Sequence, residues 1–208
     1  MTRVVLIHGA ATDSRVWDAT VAALPDTLEV LAPDRPQSGD MDTEIAFLAP
    51  LCVDAFVIGV SGGATLGLEL AARGVPLTGA LLHEPAAGSL APGLLDHVAA
   101  GLASGGVEGF GRALYGPAWN PLCTNASLEK IAGEFAMFGA FEPTPLAVPT
   151  DRIVLTVGEH SPAQRHSAVA ALAAHLGSRR RVLLGVGHAA HLEGGLADPP
   201  VLEAVGVT

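Results

Sequence analysis

Short apolar runs recur along the chain, each closed by turn residues and followed by a longer segment whose apolar positions keep helical spacing. The runs cover residues 3–8, 28–33, 55–60, 77–83, 152–157 and 180–185; the helical segments between them cover 14–24, 41–51, 63–73 and 162–176, with a last one at 200–205. Strands that are apolar throughout, rather than alternating, are buried on both faces, which is the mark of a parallel sheet covered by crossover helices. Because such crossovers are right-handed, the alternation predicts a doubly wound α/β sandwich with helices on both faces of a mostly parallel sheet.

One interval breaks the rhythm. Residues 86–151 contain no strand-like run, only short helical patterns at 94–103, 109–114 and 127–138, divided by Gly105-Gly106, Gly116-Pro117, Asn120-Pro121, Pro143 and Pro145. The chain is only 4% aromatic, yet Phe110, Tyr115, Trp119, Phe135, Phe138 and Phe141 all fall here. The expected organisation is therefore one domain, with a core from 1–85 and 152–208 and a helical insertion at 86–151. That insertion either packs a small core of its own or acts as a lid whose apolar underside meets a ligand.

Composition narrows the partners. With 21 acidic against 11 basic residues the formal charge is −10, which argues against nucleic acid and anionic membranes, since either needs a basic face. Half of the residues are hydrophobic, yet the best apolar window, 55–72, holds four glycines, Ser61 and Glu69 and is no membrane span. The first residues run straight into a short apolar strand without a signal-peptide pattern, so a cytoplasmic location is expected. Cys52 and Cys123 lie far apart without metal-ligand spacing and are expected as buried free thiols. Asn125-Ala126-Ser127 fits a glycosylation acceptor but is read as a helix start. The sequence leaves the oligomeric state open.

The strongest chemical signal is Phe56-Val57-Ile58-Gly59-Val60-Ser61-Gly62-Gly63: an apolar strand, then G-x-S-x-G, then a helix. A serine at so sharp a strand-to-helix turn is held in an unfavourable backbone conformation that only small neighbours tolerate, with its hydroxyl above the sheet edge. It lacks the G-x-G-x-x-G spacing and the Lys-Ser or Lys-Thr pair of a phosphate-binding loop. A nucleophilic serine needs a base, and a tetrahedral intermediate needs fixed donors. His188 stands in a glycine-containing loop beyond the strand at 180–185, and the turn His8-Gly9-Ala10 after the first strand can present the Ala10 amide beside that of Gly62 as an oxyanion hole.

These motifs, with Leu31-Ala32-Pro33-Asp34-Arg35 after the second strand, resemble those of the α/β-hydrolase superfamily over residues 1–85 and 152–200. The resemblance implies a sheet of order 2-1-3-4-5-6 lacking the family's two leading strands. It also implies Ser61 as nucleophile, His188 as general base, and the amides of Ala10 and Gly62 as oxyanion donors, with no cofactor and no metal. The commonest acid position holds a serine here, in Gly158-Glu159-His160-Ser161. The superfamily's other acid position is the end of the preceding strand, where His83-Glu84-Pro85 stands, and a His-Glu-Pro turn with a following Gly-x-x-Ser turn is also found in short actinobacterial-type hydrolases. Glu84 is the expected acid, with Glu159 as the alternative.

The remaining histidines have plainer expectations: His8 as a structural residue at the oxyanion turn, His83 likewise beside Glu84, and His97, His166 and His175 on helix surfaces. Asp34 is read as capping its turn, and Arg179-Arg180-Arg181 as a solvated junction before a strand. The function expected is a serine hydrolase cleaving an ester, thioester or lactone of a small, apolar substrate. A lyase, cyclase or carbon–carbon hydrolase using Ser61 and His188 for proton transfer is the alternative, followed by a non-catalytic ligand-binding protein.

Overall fold

A computed structural model describes residues 2–196; the helical segment expected at 200–205 lies outside them. Six strands form one sheet: β1 (Thr2–Ile7), β2 (Leu28–Leu31), β3 (Ala55–Val60), β4 (Gly79–His83), β5 (Ile153–Gly158) and β6 (Arg179–Leu183). Their order is β2-β1-β3-β4-β5-β6, and all five pairings are parallel. The helices are α1 (Asp18–Ala23), α2 (Met41–Cys52), α3 (Gly62–Ala72), α4 (Asp96–Tyr115), α5 (Leu128–Gly139) and α6 (Ala163–Leu176).

Burial follows the apolar pattern. Every residue of β3, β4 and β5 is buried, whereas the edge strand β6 opens with exposed Arg179, Arg180 and Arg181. The three arginines thus belong to the edge strand itself, where their charge discourages pairing with another sheet. Alternate side chains of β1 serve opposite faces: Val5 and Ile7 join a core with α2, α3 and α6, and Val4 and Leu6 join one with Trp17, Phe56 and Val186. The aromatic residues of the insertion, including Phe110, Tyr115, Trp119 and Phe138, are continuous with the first of these cores.

Local chemistry sets the helix ends. Asp40 accepts from the Thr43 amide at 2.8 Å and caps α2, and Ser127 accepts from the Lys130 amide at 3.3 Å and caps α5. The helix expected at 14–24 divides into a 3-10 turn, Ser14–Trp17, and α1. The break expected at Gly105-Gly106 is realised inside α4: Gly106 has φ 56° and ψ −136°, and a Cβ on Gly101 would lie 2.5 Å from the Gly109 carbonyl. Residues eight apart meet only if the two arms of α4 double back on each other. Cys52 and Cys123 are buried and free. No helix among the described residues is long and apolar enough to cross a membrane.

The closest approach in the core is α3 against β1, where a Cβ on Gly63 would collide with the backbone carbonyl of Ile7. Backbone on both sides leaves no room to yield, so Gly63→Ala should destabilise by about 3 kcal/mol in chemical denaturation. A Cβ on Gly105, which also lies in a helix, would meet no atom within 4 Å. There Gly105→Ala should be neutral or stabilising by up to about 1 kcal/mol.

Candidate active site

The carboxyl ends of β1, β3, β4 and β5, with the loop after β6, converge on one place. Ser61 sits between β3 and α3 with φ 56° and ψ −121°, and Glu84, just past β4, has φ 49°. Two non-glycine residues at positive φ at adjacent strand ends concentrate backbone strain here, as functional sites commonly do. The elbow is sterically fixed: a Cβ on Gly59 would lie 2.5 Å from the Gly63 carbonyl, and one on Gly9 would be 3.1 Å from the Ser61 Cβ.

Glu84 is buried and fully engaged. His188 Nδ1 donates to its Oε2 at 2.8 Å, and its Oε1 accepts from the Gly158 amide at 2.9 Å and from the Ser161 hydroxyl. A carboxylate can only accept, so the Nδ1 of His188 carries the proton and Nε2 keeps its lone pair. That Nε2 is buried with no hydrogen-bond partner among the described residues. Glu159 is exposed and accepts instead from the Gly185 amide at 2.9 Å. Ser161, occupying the usual acid position, is a donor to Glu84 rather than a substitute for it.

His83 anchors the loop that carries His188. Its Nε2 donates to the Gly187 carbonyl at 3.0 Å, and its Nδ1 accepts from the Thr156 hydroxyl at 3.0 Å. The turn after β1 is gripped just as closely. Arg35 Nε donates to the His8 carbonyl at 3.0 Å and Nη2 to the Gly9 carbonyl at 2.9 Å, while Nη1 pairs with Glu44 at 3.2 Å and with Glu134. From the insertion, Tyr115 donates to the Ala10 carbonyl at 2.9 Å and Trp119 to the Ala11 carbonyl at 2.7 Å. His8 bonds the Gly9 carbonyl at 3.0 Å, and Asp34 accepts from the Ser14 amide at 2.8 Å.

Tyr115 has a second role in the geometry. Its ring stacks on His188 at 5.4 Å, nearly parallel, and its hydroxyl borders Gly9 on the side where Ser61 does. Tyr115 thus lies between the Ser61 and His188 sides of the site, and no described residue is hydrogen-bonded to His188 Nε2. A narrow cavity opens beside them, lined by Ala10, Ser61, Gly62, Glu84 and Arg165 and by apolar residues including Leu94, Val98, Phe110 and Phe138. Gly62 is the first residue of α3, where an amide has no partner within the helix.

The sequence pattern hid three contributors: Arg165, and the pair Glu44 and Glu134. Each is a charged residue at an inward position of an amphipathic helix. Arg165 shares its face with Ala168, Val169 and Leu172, Glu44 with Ile45 and Leu48, and Glu134 with Ile131 and Phe138. Among the described residues no group of three or more His, Cys, Asp or Glu side chains is gathered to hold a metal.

The model of the alpha/beta hydrolase family matches residues 4–200. The chain belongs to the α/β-hydrolase family. The reading of the chain as a hydrolase-class enzyme stands on that membership. No curated protein matches the sequence. Similar solved structures include a thioesterase from the prodiginine biosynthetic pathway in Streptomyces coelicolor (18% identity, 100% of this chain and 85% of that one, TM-score 0.74). They also include the enol-lactonase from Burkholderia xenovorans LB400 (22%, 99% and 90%, 0.72) and naproxen esterase from Bacillus subtilis (18%, 98% and 83%, 0.65). At these identities the likeness is one of fold.

Burial governs the charge states. It lowers the His8 pKa from 6.5 to about 3, aided by Arg35, and lowers those of His83, His188 and His191 as well. Burial alone would raise Glu84, but His188, His83 and Arg165 together carry it below the usual carboxylate range. Between pH 6.5 and about 3 the unfolded chain takes up a proton at His8 that the native fold refuses, so acidification favours unfolding. The other three histidines and Glu84 act with the same sign; Glu134, which burial raises, opposes them. The denaturant midpoint should therefore fall steadily from pH 6.5 downward, and a midpoint flat or rising over the next two pH units would contradict this assignment.

Proposed function

We propose that the protein is a serine hydrolase that cleaves an ester, thioester or lactone of a small, largely apolar substrate through an acyl-enzyme on Ser61. The observation that carries this reading is the buried His188–Glu84 pair at 2.8 Å, with Nε2 unpartnered, beside a serine on a strained elbow. Ser61 Oγ attacks the substrate carbonyl as His188 Nε2 takes its proton, and the amides of Ala10 and Gly62 hold the oxyanion. The leaving alcohol or thiol departs with that proton, and water, deprotonated in turn by His188, releases the acid. Glu84 keeps the imidazole in the Nδ1–H form and stabilises its cation. For the transfer to occur, the Ser61 hydroxyl must donate to His188 Nε2, which has no partner among the described residues. Residues 86–151 act as the lid that supplies Tyr115 and the apolar wall of the cavity.

The Tyr115 ring stacked on His188, with its hydroxyl against Gly9 beside Ser61, favours a second reading, in which Ser61, Tyr115 and His188 handle protons in a lyase, cyclase or carbon–carbon hydrolase reaction without an acyl-enzyme. Substitution separates the two. Ser61→Ala should lower kcat/KM on an activated ester by on the order of 10⁴-fold and abolish labelling by a fluorophosphonate. Labelling that persists in that variant would sink the nucleophile assignment. Glu84→Gln should lower kcat by roughly 10³-fold or more, and Glu159→Gln should stay within about threefold of the parent; the reverse ranking would move the acid to Glu159.

A further inference from the structure

The structure holds two buried arginines, and they are satisfied very differently. Arg35 has two carbonyls and two carboxylates around it. Arg165 is 5% exposed and lines the cavity beside Ser61, yet among the described residues its only ionic contact is Nε to Glu84 Oε2 at 3.4 Å, and its Nη2 has no partner at all. Charge-assisted bonds to a carboxylate ordinarily close to about 2.8 Å. Glu84 does not need this one, because His188, Gly158 and Ser161 already occupy its oxygens. A half-used guanidinium in an apolar wall is costly to bury. Its field also disfavours the protonated form of His188, which a general base must reach during turnover.

We infer that Arg165 is the anchor for a carboxylate on the acyl part of the substrate, so that the preferred substrates are monoesters, thioesters or lactones of dicarboxylic acids. The inference rests on the hydrolase reading for the reaction and on the cavity for the binding. Guanidinium and carboxylate are planar and match in two parallel hydrogen bonds. Arg165 is the one cation among the described residues lining the cavity, and Glu84 already offsets part of its charge. A phosphate dianion would leave excess negative charge beside Glu84, in a wall built mostly from apolar residues such as Leu94, Leu95, Val98, Phe110 and Phe138. A bound carboxylate would also offset the field of Arg165 at His188 and make the base stronger when substrate is present.

The test uses the Ser61→Ala variant, so that binding is read without turnover, and the monomethyl and dimethyl esters of succinic, glutaric and adipic acids in calorimetry. For at least one chain length the monoester should bind roughly 10–100-fold more tightly than the diester. Adding Arg165→Met should erase that difference, while Arg165→Lys should keep a reduced one, with thermal melts showing that each is folded. Equal binding of monoesters and diesters overturns the proposal whether or not the Arg165 variants fold, as does a charge preference that survives Arg165→Met. Residual turnover by Ser61→Ala would instead count against the nucleophile, leaving the binding comparison intact.

Discussion

The tightest constraint in this protein is the contact between the turn after β3 and the end of β1. Gly59 lies on the Gly63 carbonyl and Gly63 on the Ile7 carbonyl, each too close for a side chain, and Gly9 packs tightly against Ser61. These contacts hold Ser61 at φ 56°, a conformation that a serine adopts only when its surroundings leave no alternative. They also fix the distance between the elbow and the turn bearing Ala10. The Ser61 side chain and the turn bearing Ala10 are thereby placed by backbone sterics, before any side chain is chosen.

A layer of polar contacts then aims the movable parts. The carbonyls of His8, Gly9, Ala10 and Ala11 are each held, two by Arg35 and one each by Tyr115 and Trp119. Because Glu134 of α5 shares Arg35 with Glu44 of α2, the helices between β4 and β5 are tied to the same turn from two directions. On the other side His83 holds the Gly187 carbonyl, and Glu84 holds His188. Since these groups are buried, removing any one partner strands the other, which makes the arrangement stiff.

The fold class was legible because its strands are continuous apolar runs and its helices carry regular stripes, an alternation that right-handed crossovers turn into a covered parallel sheet. The order of the strands came with the family resemblance, since alternation by itself allows more than one winding. The elbow was legible because only small residues fit there. Glu84 came from a position in that resemblance, and its bond to His188 joins residues 104 apart in sequence. What the pattern hid were charges on apolar faces. Glu44, Glu134 and Arg165 occupy positions where helical spacing calls for aliphatic residues, and a stripe counted only for hydrophobicity treats them as interruptions. Read as charges that must find partners indoors, they would have pointed to buried pairing. The placement of Tyr115 against His188 and beside Ser61 had no signal beyond its being the single tyrosine in the chain.

The central claim is covalent chemistry at Ser61, and intact-protein mass spectrometry during turnover reads it most directly. Quenched within the first turnovers of an activated ester, the protein should gain the mass of the acyl group, and digestion should place that mass on the peptide containing Ser61. Sustained turnover with no added mass on slow-deacylating substrates, or an acyl group on another residue, would contradict the account.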